Sequence, residues 1–317
     1  MKRRYLGKTG LKIGPLAFGG TVLGWLVDEP KSFALLDSFV ASGFNLIDTA
    51  DSYYVWASGL KGGESETIIG NWLKRRGRRD DVVIATKVGE PMGPGRQGLS
   101  RVHILRSAEE SLVRLQTDYI DLYQSHIDDL NTPLEETLEA HRLLVESGKA
   151  RAIGASNHTA GRLTQALGTS DRLGAPRYQT LQTLYNLCDR ADFEEELAPL
   201  CAREGLGVLV YRPLARGFLS GKYRSPDDAR HHRRGEGVAQ YLNARGFRIV
   251  DTLLEVASSR DIPPAEAAIA WVMSRPQVTA AIAGLTSVPQ VEKLARAFHL
   301  ELDEESLARL NRASLPD

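Results

Sequence analysis

Eight short runs of aliphatic and β-branched residues punctuate the chain, at 16–20, 45–50, 82–87, 120–126, 150–156, 179–185, 206–211 and 279–284. Most are apolar at nearly every position instead of alternating, as parallel strands covered on both faces by helices should be. Between them apolar residues recur at helical spacing. Thr132-Pro133-Leu134-Glu135 reads as a capping box with proline at the first helical position; Leu134, Leu138, His141 and Val145 then share one face, and Gly148 sits where a left-handed C′ residue belongs. The same amphipathic spacing recurs over 100–115 (Ile104, Ala108, Leu112, Leu115) and 264–274 (Ala267, Ala268, Trp271, Val272). Residues 3–13, with Gly7 and Thr9-Gly10 as turn signals, predict a hairpin ahead of the first strand. The stretch 223–241 has no period. It mixes Pro226, Asp227, Asp228, Gly235 and Gly237 with Arg230, His231, His232, Arg233 and Arg234, so it is predicted to be a poorly ordered loop that cannot bury itself.

A length of 317 residues fits either two domains or one (β/α)8 barrel. Strand–helix alternation eight times over, with no linker-like stretch at the midpoint, favours a single α/β domain over 1–317, a TIM barrel. Forty Lys and Arg balance forty Asp and Glu, so no positive field exists to hold nucleic acid or an anionic membrane surface. The two cysteines, Cys188 and Cys201, have no zinc-type spacing and suit a reducing, cytoplasmic compartment. Lys8 and Lys12 interrupt the apolar run that a signal peptide would need after Met1-Lys2-Arg3-Arg4, and no stretch reaches the roughly 18 apolar residues of a membrane span.

A barrel of this kind builds its site at the C-terminal ends of its strands. Asp48 and Tyr53 close the second run, Lys87 the third and His126 the fourth. Singly, each has a plain structural explanation as a turn cap, a solvated strand end or a core ring. Together, on three adjacent strand ends, they place an acid, a base, a phenol and an imidazole in one cleft. Such a set suits proton transfer coupled to hydride transfer. A phenol is a reluctant donor or base at neutral pH; an adjacent ammonium such as Lys87 is expected to lower its pKa, with Asp48 holding that ammonium and His126 giving a second hydrogen bond to the developing oxyanion. Metal-assisted hydrolysis is disfavoured, since no H-x-H or carboxylate-rich set falls at the strand ends.

Residues 43–53 (GFNLIDTADSY), Ile84-Ala85-Thr86-Lys87 and Asp121-Leu122-Tyr123-Gln124-Ser125-His126 resemble the aldo-keto reductase family, and the likeness runs from Leu6-Gly7-Lys8-Thr9-Gly10-Leu11 to the helix at 288–298. The resemblance implies a (β/α)8 barrel with an N-terminal hairpin and C-terminal accessory helices. It also implies hydride transfer between NADP(H) or NAD(H) and a small carbonyl or alcohol substrate, without metal or flavin. By motif position Tyr53 is the general acid/base, Lys87 and Asp48 its tuning pair, and His126 the substrate-orienting group. The resemblance assigns the nicotinamide carboxamide to Ser156, Asn157 and Gln182, and the ring face to Tyr211. It assigns the pyrophosphate to the loop with Arg212, Pro213, Leu214, Arg216, Gly217 and Lys222. Gly20, Thr21, Asp48, Gly284, Thr286 and Gln290 complete the implied cofactor contacts. A carboxamide offers one acceptor and two donors, so amide and hydroxyl partners suit it.

The stretch 284–290 carries no Lys or Arg where relatives favouring NADP usually carry one, and Leu294 replaces a common adenine-binding Asn; what remains is a Ser287-to-Gln290 capping box, with Lys293 and Arg296 beyond it. Trp25, Tyr54 and Trp56 follow the first two strands and are expected to line the substrate pocket with His126. Gly93-Pro94-Gly95-Arg96-Gln97-Gly98 matches G-x-G-x-x-G, but five residues separate it from the preceding strand, so it reads as a loop over the pocket and not as a dinucleotide fingerprint. A second function class is a cofactor-sensing subunit, similar to potassium-channel auxiliary subunits; the lack of a long segment ahead of the barrel weighs against it.

Overall fold

The structure, a computed structural model, describes residues 3–55, 57, 59–230 and 235–316, with the backbone alone at 236. β1 (Arg4–Tyr5) and β2 (Lys12–Ile13) form the expected antiparallel hairpin. β3 (Leu16–Gly19), β4 (Leu46–Asp48), β5 (Val83–Val88), β6 (Ile120–Ser125), β7 (Ala150–Ser156), β8 (Thr180–Leu184), β9 (Gly207–Tyr211) and β10 (Ala280–Ala283) close into one parallel barrel, β10 pairing back onto β3. Every residue of β3 to β6 is buried, which is why these strands read as continuous apolar runs. Inside the barrel, Ala17, Leu46, Ala85, Leu122 and Leu209 pack in one cluster with Leu6 and Ile13 of the hairpin. The hairpin therefore stops the N-terminal end of the barrel, and the C-terminal rim is left for chemistry. Among the described residues no helix is long and apolar enough to cross a membrane.

The helix Glu64–Arg76 lies so close to the helix Arg101–Leu115 that a Cβ at Gly70 would stand 2.1 Å from the Arg114 carbonyl oxygen. Gly70→Ala should therefore destabilise the protein by about 1–3 kcal/mol through overpacking, although alanine favours helix by about 1 kcal/mol. Urea midpoints decide it; a variant as stable as the parent would show that the two helices can slide apart.

Three local expectations change. The helix Leu134–Glu146 has Pro133 as its N-cap and no capping box, because Asp129 captures the Thr132 hydroxyl (2.7 Å) along with the Leu99 N–H (2.7 Å). Gly148 does take the left-handed conformation, with φ +73°. The helix Val288–Ala297 likewise lacks a Ser287 side-chain cap; Gln290 Oε1 instead accepts from the Thr286 N–H (2.8 Å) and hydroxyl (3.2 Å).

The third change concerns 223–241, whose described part is folded. Pro226–Arg230 is helical and Gly235–Tyr241 a 3-10 segment, with Tyr223, Val238 and Tyr241 buried. Tyr241 stacks on Phe218 (centroids 5.6 Å apart) and donates to Asp189 Oδ2 at 2.6 Å, while Asp228 Oδ2 accepts from the Arg224 and Ser225 N–H groups. Three anchors at irregular spacing give no period for a sequence pattern to register. His231, His232, Arg233 and Arg234 lie outside the described residues.

Candidate active site

β4 delivers Asp48 as its last residue, and the turn that follows brings Tyr53 back over the rim. The close approach that this turn needs is visible at Gly20, where a Cβ would lie 2.9 Å from the Asp48 carbonyl oxygen and 2.7 Å from Ser65 Oγ. β5 supplies Lys87, wholly buried, whose ammonium donates to Asp48 Oδ2 (2.8 Å), the Thr49 carbonyl (2.7 Å) and the Tyr53 hydroxyl (2.6 Å). The Tyr53 hydroxyl in turn donates to Asp48 Oδ2 at 3.2 Å. The other Asp48 oxygen accepts from Gln182 (2.8 Å) and Gln124 (3.3 Å). His126 follows β6 with its ring 5.9 Å from that of Tyr53. The four residues named from the strand ends are thus brought together.

Their electrostatics differ from the expectation at one point. Burial, and after it the Asp48 carboxylate, hold the Tyr53 phenol well above its ordinary pKa. The phenol is therefore fully protonated at neutral pH, and the 2.6 Å ammonium contact becomes important once the proton has left. Burial, reinforced by the Lys87 charge, keeps His126 well below its ordinary pKa and so neutral. Among the described residues its Nδ1 has only long contacts, to Ser52 Oγ at 3.5 Å and Glu90 Oε2 at 3.6 Å. Asp51, buried on the same turn with both carboxyl oxygens unpartnered among the described residues, is held well above the usual carboxylate range by burial and then by Glu66. Burial pushes Cys188 and Cys201 up to about 12, so neither offers a nucleophile.

The remaining named residues ring the same rim. Ser156 ends β7, and Asn157 beyond it has φ +57°, with its amide donating to the His126 carbonyl (2.9 Å) and Ser156 Oγ (3.2 Å) while its oxygen accepts from the Tyr211 hydroxyl (2.6 Å). No bond from the Ser156 hydroxyl hydrogen or to Gln182 Oε1 is present among the described residues, which leaves one donor and one acceptor side by side. That pair fits a carboxamide. After β9, Arg212 and Arg216 both have left-handed backbones (φ +56° and +61°). The Arg216 Nε is buried without a partner among the described residues, and burial together with Arg212 lowers the Arg216 pKa, so this loop concentrates positive charge suited to an anion. Lys222 is exposed nearby in sequence, Pro213 is buried, Leu214 packs on the core, and Gly217 has φ +99°. Thr21 beside Gly20 and Gly284 after β10 are half-buried, and Thr286 and Gln290 are exposed.

Trp25 and Tyr54 stack on each other with centroids 4.2 Å apart, forming one aromatic shelf whose Tyr54 ring lies 6.5 Å from that of Tyr53. Trp56 lies outside the described residues. The 93–98 stretch is a closed loop, Gly98 N–H bonding back to the Gly89 carbonyl at 2.8 Å, and its approach carries Glu90 to the site. Sequence reasoning missed Gln124, Ser52 and Glu90. Gln124 had a signal, since it stands two residues before His126 in the run 120–126, where period-two alternation turns both the same way. Among the described residues no three His, Cys, Asp or Glu side chains cluster as a metal ligand set would.

Comparison with known proteins agrees with this arrangement. The profile of the Aldo/keto reductase family matches residues 15–314. The chain is 37% identical over 320 residues to "Uncharacterized oxidoreductase YrpG" of Bacillus subtilis (strain 168), covering 98% of this chain and 95% of that protein. A "Probable voltage-gated potassium channel subunit beta" of Arabidopsis thaliana is 35% identical, with 88% and 86% covered. The "L-glyceraldehyde 3-phosphate reductase" of Escherichia coli O157:H7 is 31% identical, with 98% and 92% covered. Matched along nearly its whole length, the chain belongs to the aldo/keto reductase family of oxidoreductases acting on carbonyl substrates.

Proposed function

We propose that this chain interconverts aldehydes or ketones and their alcohols with NADP(H) or NAD(H), using Tyr53 as the general acid/base. The observation that carries the reading is the Tyr53 hydroxyl held between the Lys87 ammonium and the Asp48 carboxylate. Bound nicotinamide supplies the hydride. Tyr53 gives its proton to the carbonyl oxygen as charge develops there, and Lys87, 2.6 Å away, stabilises the phenolate that remains. Asp48 keeps the ammonium in place, with Gln182 and Gln124 fixing its far oxygen. Neutral His126, its ring 5.9 Å from that of Tyr53, would orient the substrate. The Ser156 hydroxyl and Gln182 Oε1 would hold the carboxamide of a bound nicotinamide, Tyr211 would pack on its ring, and Arg212, Arg216 and Lys222 would meet its phosphates. The substrate and its products are small molecules, and a cytoplasmic location is consistent with buried, unpaired cysteines.

Cofactor choice tests the reading. With no Lys or Arg in 284–290, one charge-assisted contact to a 2′-phosphate is missing, which forfeits about tenfold to a hundredfold of NADP preference. We expect turnover of a reactive aromatic aldehyde with either dinucleotide, kcat/KM for NADPH exceeding that for NADH by less than about a thousandfold. No turnover with either would reject the reductase reading, and a larger preference would reveal a basic anchor elsewhere. The channel-subunit relative supports a second reading, a cofactor sensor. A sensor oxidises about one equivalent of NADPH and then stalls, whereas an enzyme continues.

A further inference from the structure

On the β4–β6 side of the cleft one charge lacks an ion-pair partner among the described residues. Asp48 and Lys87 form a buried pair, Tyr53 and His126 are neutral, and burial holds the Asp51 carboxyl well above the usual carboxylate range. Glu90 remains. Its side chain is 41% exposed, accepts from Ser52 Oγ at 3.0 Å and stands 3.6 Å from His126 Nδ1, with no Lys or Arg within ion-pairing distance among the described residues. Its field reaches Tyr53, Asp51 and Tyr211, three groups around the mouth, while Arg212 and Arg216 act on Tyr211 from the side assigned to the cofactor phosphates. An uncompensated carboxylate at this place meets whatever is attached next to the reacting carbonyl.

We propose that Glu90 is a specificity-determining residue that disfavours carbonyl substrates bearing an anionic group near the reacting carbon and favours neutral ones, above all those with an adjacent hydroxyl. The inference rests on the reductase reading of this site. A substrate hydroxyl beside the carbonyl can donate to the Glu90 carboxylate, to which among the described residues Ser52 alone gives a short hydrogen bond. A carboxylate or phosphate there meets a like charge across a partly desolvated gap, with no Lys or Arg paired to Glu90 among the described residues and with Arg212 and Arg216 on the β9 side of the rim, so rejection comes from a repulsive element as much as from any attraction. The residue lies beyond the strand-end set, in a loop that any barrel of this kind can vary without disturbing proton transfer.

Two substrate pairs test this: glyceraldehyde against glyceraldehyde 3-phosphate, and butanal against succinic semialdehyde. In the wild type, kcat/KM should favour the neutral member of each pair by about tenfold or more, the size expected of two like charges several ångströms apart at a half-exposed site. Glu90→Gln, which keeps the shape and removes the charge, should shrink both ratios by about fivefold or more, mainly through a lower KM for the anion. Raising the salt concentration should shrink them in the wild type, a measurement that stands even if the variant fails to fold. Ratios that Glu90→Gln or, failing it, salt leaves unchanged, or a wild type that prefers the anions, would overturn the proposal and leave the reductase reading intact. No reduction of any of the four aldehydes would overturn both.

Discussion

Tyr53→Phe should lower kcat for aldehyde reduction by about 10²–10⁴ while dinucleotide affinity stays within a few-fold. The substitution removes one oxygen. The ring that packs 5.9 Å from His126 remains, and so does the Lys87–Asp48 pair at 2.8 Å, which no longer has the phenol to serve. Because burial and Asp48 hold the phenol well above its ordinary pKa, the wild-type reduction rate should not fall between about pH 6 and pH 9 through loss of the Tyr53 proton. Steady-state kinetics with fluorescence titration of the cofactor measures both quantities. A variant retaining more than half of the activity would remove Tyr53 from the acid/base role.

Lys87→Met should be comparably damaging, for two reasons that can be separated. The variant loses the donor at 2.6 Å from the Tyr53 oxygen, so the phenolate left by proton transfer has no counter-charge; kcat should drop by about 10² or more, and the pH limb of alcohol oxidation should move alkaline, since removing a cation disfavours phenolate further. It also strands Asp48, 1% exposed, with amide and phenol donors but no ammonium. Breaking a buried ion pair on one side typically costs about 3–5 kcal/mol, so the urea midpoint should fall as well. An unmoved oxidation profile in a folded Lys87→Met protein would show that the ammonium does not tune the phenol.

The barrel was legible because its strands are mostly buried on both faces: a run such as 150–156, apolar from Ala152 to Ala155 and broken only by the exposed Arg151 before it closes at Ser156, needs no knowledge of its neighbours, and its observed limits are the same. The strand-end quartet was legible for a related reason, since a polar residue closing an apolar run in a barrel falls on the rim. What escaped depends on contacts that have no period. Tyr223, Val238 and Tyr241 join one core cluster at irregular spacing, so 223–241 read as poorly ordered. Thr132 and Ser287 sit in capping-box patterns, but competing acceptors and donors at Asp129 and Thr286 decide where the hydrogen bonds go. The rise in the Tyr53 pKa was hidden because burial, which opposes the ammonium, cannot be read from residue identity. Glu90 gave no signal at all, being one charge in a glycine- and proline-rich loop.

The bond from the Tyr53 hydroxyl to Asp48 gives this proton donor a resting occupation. An incoming carbonyl oxygen must displace a carboxylate as acceptor, and a neutral carbonyl is the weaker acceptor of the two. As hydride arrives and the oxygen acquires alkoxide character, the order reverses. On the proposed acid/base role of Tyr53, the donor would be released to the substrate only as the barrier is climbed, an interaction differential between ground and transition states that would act on kcat without tightening the Michaelis complex. Carbonyls whose oxygen gains charge early along the reaction coordinate are the ones for which this exchange comes soonest.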